Sequence, residues 1–161
     1  MTLIRMDWSS ALSTSIGAAI GIAATLIADR NRWRRDLSSR ALEVRREAYT
    51  EFMTAMNEAG EAIRAVSLGD HSGDASMDSV VREAFRSSGV HTALERLRLV
   101  APPAVEAAAY AAFRSMRHLR DHYAAGRVPT EATAHSARME LERNFQTVRD
   151  LMRKDLDAAP D

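Results

Sequence analysis

No cysteine occurs anywhere in the 161 residues, which excludes a disulfide frame, a thiolate zinc site and a thiol nucleophile, and fits a domain facing a reducing compartment. Chain breakers are scarce as well, glycine and proline together numbering 11. β-Branched runs are short, while alanine, arginine, glutamate and leucine dominate, so residue propensity favours helix along most of the chain. Lysine is reduced to Lys154 alone beside 21 arginines, a bias that reads as a GC-rich coding sequence rather than as a demand for guanidinium chemistry. A glycine-rich phosphate loop is missing too, since Gly17-x-x-x-Gly21 lies in an apolar stretch where glycine serves packing. The length allows a single domain, and after an anchor of roughly 30 residues is set aside it still buries a modest core.

What is present begins with an uneven charge distribution. The formal net charge is zero, yet Asp29 to Arg46 holds seven arginines and three acids, net +4, whereas Glu47 to Asp161 holds 14 basic and 18 acidic residues, net −4. Between Asp7 and Asp29 no residue is charged, and Ala11 to Ala28 reads ALSTSIGAAIGIAATLIA, long enough as a helix to cross ~30 Å of hydrocarbon. Ser13, Thr14, Ser15, Gly17, Gly21 and Thr25 dilute its hydrophobicity. Trp8 and Trp33 bracket it at ~37 Å along a helix axis, a separation that suits the two interfacial belts of a membrane. Only Arg5 precedes the apolar segment, while Arg30, Arg32, Arg34, Arg35 and Arg40 follow it, which argues against a secretory signal peptide. By the positive-inside rule the short N-terminal tail then lies outside and everything after Asp29 is cytoplasmic, a single-pass topology in an inner membrane. The same arginines would attract anionic membrane lipid. Ser13, Gly17 and Gly21 fall at i, i+4 and i+8, a small-residue seam that either lets transmembrane backbones pack closely in a homo-oligomer or against a membrane partner, or simply reflects how common small residues are in an alanine-rich chain. The competing reading is a soluble core helix, which the rest of a small bundle would have to cover on every face.

Beyond the arginines, Leu42, Tyr49, Met56 and Ile63 repeat every seven residues, with Phe52, Ala59 and Val66 three positions after the last three. No breaker separates Arg30 from Ala59, so the first helix is expected to run on until SLGDHSG at 67–73. A second stretch starts near Ser76 with Met77, Val80, Val81, Ala84 and Phe85, meets Ser87-Ser88-Gly89, and resumes with Leu94, Leu97 and Val100 before Pro102 and Pro103. LRLV within it also fits a short strand, though no second strand is available to pair with it. A third helix places Val105, Ala109, Ala112, Met116, Leu119 and Tyr123 on one face and ends before Gly126. The fourth follows Pro129, with Thr130 as its cap, and carries Ala137, Leu141, Phe145, Val148 and Met152. The predicted class is all-α: an N-terminal transmembrane helix continuing into an antiparallel four-helix bundle. Its parts are 1–28, an external tail and anchor; 29–46, a basic juxtamembrane segment in or before which the first bundle helix starts; and 47–161, a cytoplasmic bundle.

Chemistry-bearing clusters are few. His118 and His122 lie one turn apart beside Asp121, a spacing at which two imidazoles can share a metal, but no Glu-x-x-His or inward carboxylate pair completes a bundle site. They are the one metal candidate, and solvated or interhelical histidines are the simpler reading, as for His71, His91 and His135. Glu58 with Glu61, or Glu140 with Asp150, could perform acid–base work only in a pocket that shifts their pKa values, and acids alternating with arginines at helical spacing read first as solvated faces. Ser38, Ser39, Ser87 and Ser88 sit in no nucleophile motif, so neither an enzyme nor a cofactor is predicted.

RREAYTEF at 45–52 together with LRLVAPPAVEAAA at 97–109 resembles runs in small actinobacterial proteins of unknown function that begin with one membrane helix. The likeness covers most of the chain in layout and these two runs in detail, and it implies an anchor and a helical fold without any activity or site residues. The expected function is a membrane-anchored, non-enzymatic interaction or scaffold protein working through helix–helix contacts, with lipid, a second copy and a cytoplasmic protein as partners. The alternatives are a membrane-perturbing component of a conjugation, transport or defence assembly and a metal-binding helical protein. Nucleic acid is not an expected partner, because the bundle is acidic and carries no base-reading motif.

Overall fold

The computed structural model is built of helices alone among the described residues, which are 8–69, 76–125 and 132–158; within the first helix, side chains are described at 25, 29, 30, 32, 33 and 36–66. Five helices follow one another: α1 (Trp8–Ser67), α2 (Met77–Ser87), α3 (Val90–Val100), α4 (Pro103–Ala124) and α5 (Ala132–Asp157). Compactness divides the chain after Ala41. The first unit consists of the leading part of α1, and the second, Leu42–Pro160, is a helical bundle with its own core.

Helix ends follow local chemistry. Ser76 caps α2, its Oγ accepting from the Ser79 amide at 3.3 Å, and Asp78 and Arg86 stand at the ends where the helix dipole favours an acid and a base. Gly89 separates α2 from α3 because its φ of +69° is a left-handed conformation that suits glycine. The single second stretch of the sequence reading is therefore two helices, split at Ser88-Gly89. LRLV is helical, as the lack of any partner strand requires, and the Ala101 amide closes α3 on the Leu97 carbonyl at 2.9 Å. Pro103 occupies the first turn of α4, where its missing N–H costs nothing. The proposed cap Thr130 lies outside the described residues.

The heptad positions of α1 from Tyr49 to Val66 are all buried, and Phe52, Ala59 and Ile63 have no exposure. Every predicted face residue of α4 is buried, and so are Ala137, Phe145, Val148 and Met152 of α5. Leu42, Val80, Leu141 and Val100 are half-buried at its margin. α4 is the common neighbour, packed along α5 and against α2 and α3, while Gly60 of α1 sits where an added Cβ would lie 3.5 Å from the Met116 methyl. Ser115 is the only buried polar residue among those described, and it is satisfied: it donates to the Ala111 carbonyl at 3.1 Å and accepts from Asn144 Nδ2 at 2.6 Å. A paired polar group of this kind is tolerated in a core that would not tolerate it unpaired.

Candidate functional site

Much of the proposed anchor lies outside the residues whose side chains are described, including Trp8, Ser13, Gly17, Gly21, Arg34 and Arg35. Among the described residues no helix is long and apolar enough to cross a membrane. Arg30, Arg32 and Arg40 are exposed, and Trp33 is 68 % exposed with Leu37 one turn beyond it.

Within the bundle, three surface features stand out. The first is a clasp between α1 and α5. The Tyr49 hydroxyl donates to Oδ2 of Asp155 at 2.8 Å, and Arg45 Nη1 reaches both carboxylate oxygens, at 3.3 and 3.1 Å. Burial, the hydrogen bond to Asp155 and the negative charge of that carboxylate together push the Tyr49 phenol well above its ordinary range, with Arg45 opposing in part. A tyrosine so held stays neutral at all ordinary pH values and works as a structural donor.

The second is an apolar groove of about 250 Å³ between α1 and α3, lined by Val44 and by Leu99 and Val100. Leu99 is 84 % exposed and Val44 is about half exposed. Glu51 and Arg96 close the rim, with Arg96 Nη1 donating to both Glu51 oxygens at 2.9 and 3.0 Å. Ala48 and Glu47 complete its lining.

The third is a wider groove of about 480 Å³ where α2, α3 and α4 meet. Arg82 and Arg86 face it from α2, and Arg117 and Arg120 from α4. The Arg120 guanidinium lies over the Phe85 ring, 4.9 Å from its centroid, and donates to Asp121 Oδ1 at 2.9 and 2.6 Å. His91 stacks on Phe113 with ring centroids 5.9 Å apart and planes at 26°. Arg82 is paired with Asp78 at 2.7 Å and Arg86 with Glu83, whereas Arg117 makes neither an ion pair nor a hydrogen bond among the described residues.

His118 and His122 do come together with Asp121 around a shallow surface depression on α4. Asp121 Oδ1 is already engaged by Arg120 and lies 3.9 Å from Arg82, and no group of three or more potential ligands gathers among the described residues. Glu58 and Glu61 are exposed; Glu140 stands 3.5 Å from the Ser115 hydroxyl, and Asp150 accepts from Gln146 at 3.0 Å. These carboxylates form no pair around an enclosed pocket. His91, read from the sequence as an isolated surface residue, is exposed but belongs to the third groove.

The sequence reading missed that groove altogether. A signal was available, because Arg82 and Arg86 are four residues apart and Arg117 and Arg120 three apart, spacings that put each pair on one helix face. Which faces converge depends on the packing of three helices. No protein family, no curated protein and no solved structure matches the chain.

Proposed function

We propose that the chain is a non-enzymatic interaction protein that holds a helical bundle at the cytoplasmic face of a membrane, by a single N-terminal span, and acts as a homo-oligomer through helix–helix contacts. The observation that carries this reading is the continuity of α1 from Trp8 to Ser67. The uncharged stretch 11–28, the arginines from Arg30 to Arg40 and the core-forming residues from Tyr49 to Val66 follow one another on one helix with no loop between them. In this reading the arginines fix orientation and hold anionic lipid at about 1 kcal/mol each near the surface. Ser13, Gly17 and Gly21 form the seam between copies, and the Val44–Leu99 groove adds a second contact. The bundle is read as antiparallel and four-helical, α2 and α3 sharing one position. Two contacts support that order: early Tyr49 meets late Asp155, and early Glu51 of α1 meets Arg96 near the end of α3.

The test is carbonate extraction and chemical crosslinking of two forms, the full chain and one starting at Asp29. Retention in the membrane fraction and crosslinked oligomers for the full chain only are expected. A full chain that is released by carbonate and stays monomeric overturns the proposal and leaves α1 as a soluble or oligomer-forming helix.

A further inference from the structure

We propose that the groove between α2, α3 and α4 binds a small organic phosphate, its phosphate oxygens held by the arginines and its planar ring laid on the open face of His91. The first argument is the character of the lining. Acids and bases balance over the whole chain, 22 against 22, and four arginines line the groove, three of them paired with acids at its edge: Arg82 with Asp78, Arg86 with Glu83 and Arg120 with Asp121. Three other cavities among the described residues include acids in their lining: Glu61 and Glu142 in one, Glu47 and Glu51 in the second, Asp121 in the third. Arg117 is the lining arginine left without an acidic partner among the described residues, and the three paired guanidiniums keep further N–H groups for an oxyanion.

The second argument is the availability of donors. Arg117 has no partner within the described residues, so its fork is free to grip an oxyanion in bidentate fashion. Arg120 is held in place over Phe85, which lowers the ordering cost when a ligand arrives. The start of α3 also faces the groove through His91 and Thr92. No acid stands in the first turn of α3, so the positive end of its dipole adds to the field there, although the Val90 amide already donates to the Ser88 hydroxyl at 3.4 Å. Donors converging from three helices suit a doubly charged group with three outer oxygens better than a single carboxylate.

The third argument is size. A free phosphate would leave most of a space of about 480 Å³ unfilled, whereas that volume falls in the range of small-molecule sites, ~300–1,000 Å³. His91 is exposed on one side and backed by Phe113 on the other, a rigid platform against which a planar ring can stack.

Titration calorimetry on the full-length protein in detergent micelles tests the proposal, with inorganic pyrophosphate, adenosine diphosphate and mixed micelles of the same detergent carrying phosphatidic acid as probes. Saturable one-to-one binding of both soluble probes is expected, with adenosine diphosphate the tighter. Arg117→Gln should weaken both by about tenfold, while Arg114→Gln, an equal charge change on the same helix outside the groove, should change them less than about twofold. His91→Ala should abolish the preference for the nucleotide and leave pyrophosphate bound. Equal weakening by Arg114→Gln and Arg117→Gln, or no saturable binding of either soluble probe at millimolar concentration, overturns the site. Binding of phosphatidic acid that Arg117→Gln weakens, with neither soluble probe bound, overturns it in favour of a lipid headgroup, and equal affinity for the two soluble probes removes the ring from the ligand. Circular dichroism of each variant verifies that these surface substitutions leave the bundle folded.

Discussion

Tyr49 and Asp155, 106 positions apart, share a 2.8 Å hydrogen bond that ties the start of the bundle's first helix to the last turns of its final one. Its environment is part apolar and part ionic: Tyr49 is buried, while Asp155 keeps a side-chain exposure of 16 % and also receives Arg45. A hydrogen bond to a charged acceptor in such a setting is worth about 1.5–3 kcal/mol net. Tyr49→Phe should therefore lower the unfolding free energy by an amount in that range. Asp155→Ala should cost more, because it leaves both the phenol and Arg45 without their acceptor. Urea denaturation of the three proteins checks this, and equal stability of Tyr49→Phe and the parent would show the bond to be idle.

The raised pKa of Tyr49 carries a pH dependence. In the folded state the neutral phenol is favoured, while in the unfolded chain it ionises near its ordinary value of 10.0. Below that value neither state gains from ionisation and the contribution of Tyr49 is fully present. As pH rises beyond it the unfolded state loses its proton first, so stability falls progressively towards the higher folded-state pKa. Melting temperature should accordingly decline above about pH 10, and the decline should be shallower in Tyr49→Phe. An identical alkaline slope in both proteins would assign the loss to other groups.

Two glycines should respond to alanine in opposite directions. Gly89 has a positive φ of +69°, so Gly89→Ala forces a left-handed alanine at the α2–α3 junction and should cost about 1 kcal/mol. Gly60 lies inside α1, and its added methyl would meet only the flexible end of Met116 at 3.5 Å. Gly60→Ala should be neutral or stabilising by up to about 1 kcal/mol through helix propensity. Thermal melts of both variants decide it, and a destabilised Gly60→Ala would mean that α1 and α4 pack too tightly there for a methyl.

Leu97 and Leu99 are two residues apart on α3 and should behave differently. Leu97 is fully buried in the core, and Leu97→Ala should cost about 2–5 kcal/mol. Leu99 stands in solvent at the edge of the apolar groove, so Leu99→Ser should leave the unfolding free energy within about 0.5 kcal/mol. If that groove is a contact between copies, the same substitution should reduce crosslinking of the full chain.

Helical periodicity carried most of the fold. The seven-residue repeat from Tyr49 to Ile63 and the face from Val105 to Tyr123 name the core in advance, because a helix that must bury one stripe leaves its period in the sequence. Absences did the rest: without cysteine, with few breakers and with no second strand candidate, LRLV had only the helix open to it. Small and polar core members escaped notice. Ala93, Ala134 and Ser115 are buried, yet none of them stands out from an alanine-rich background. Periodicity was likewise silent on whether Ser87-Ser88-Gly89 bends a helix or divides it, since that depends on the backbone angle Gly89 adopts once its neighbours pack. What only the tertiary structure decided is which separate faces meet. The Arg45–Tyr49–Asp155 clasp joins residues more than a hundred positions apart, and the arginine groove draws on three helices. Local propensity acts over a few residues, whereas a site of this kind exists only after the buried stripes have selected the partners and register of every helix.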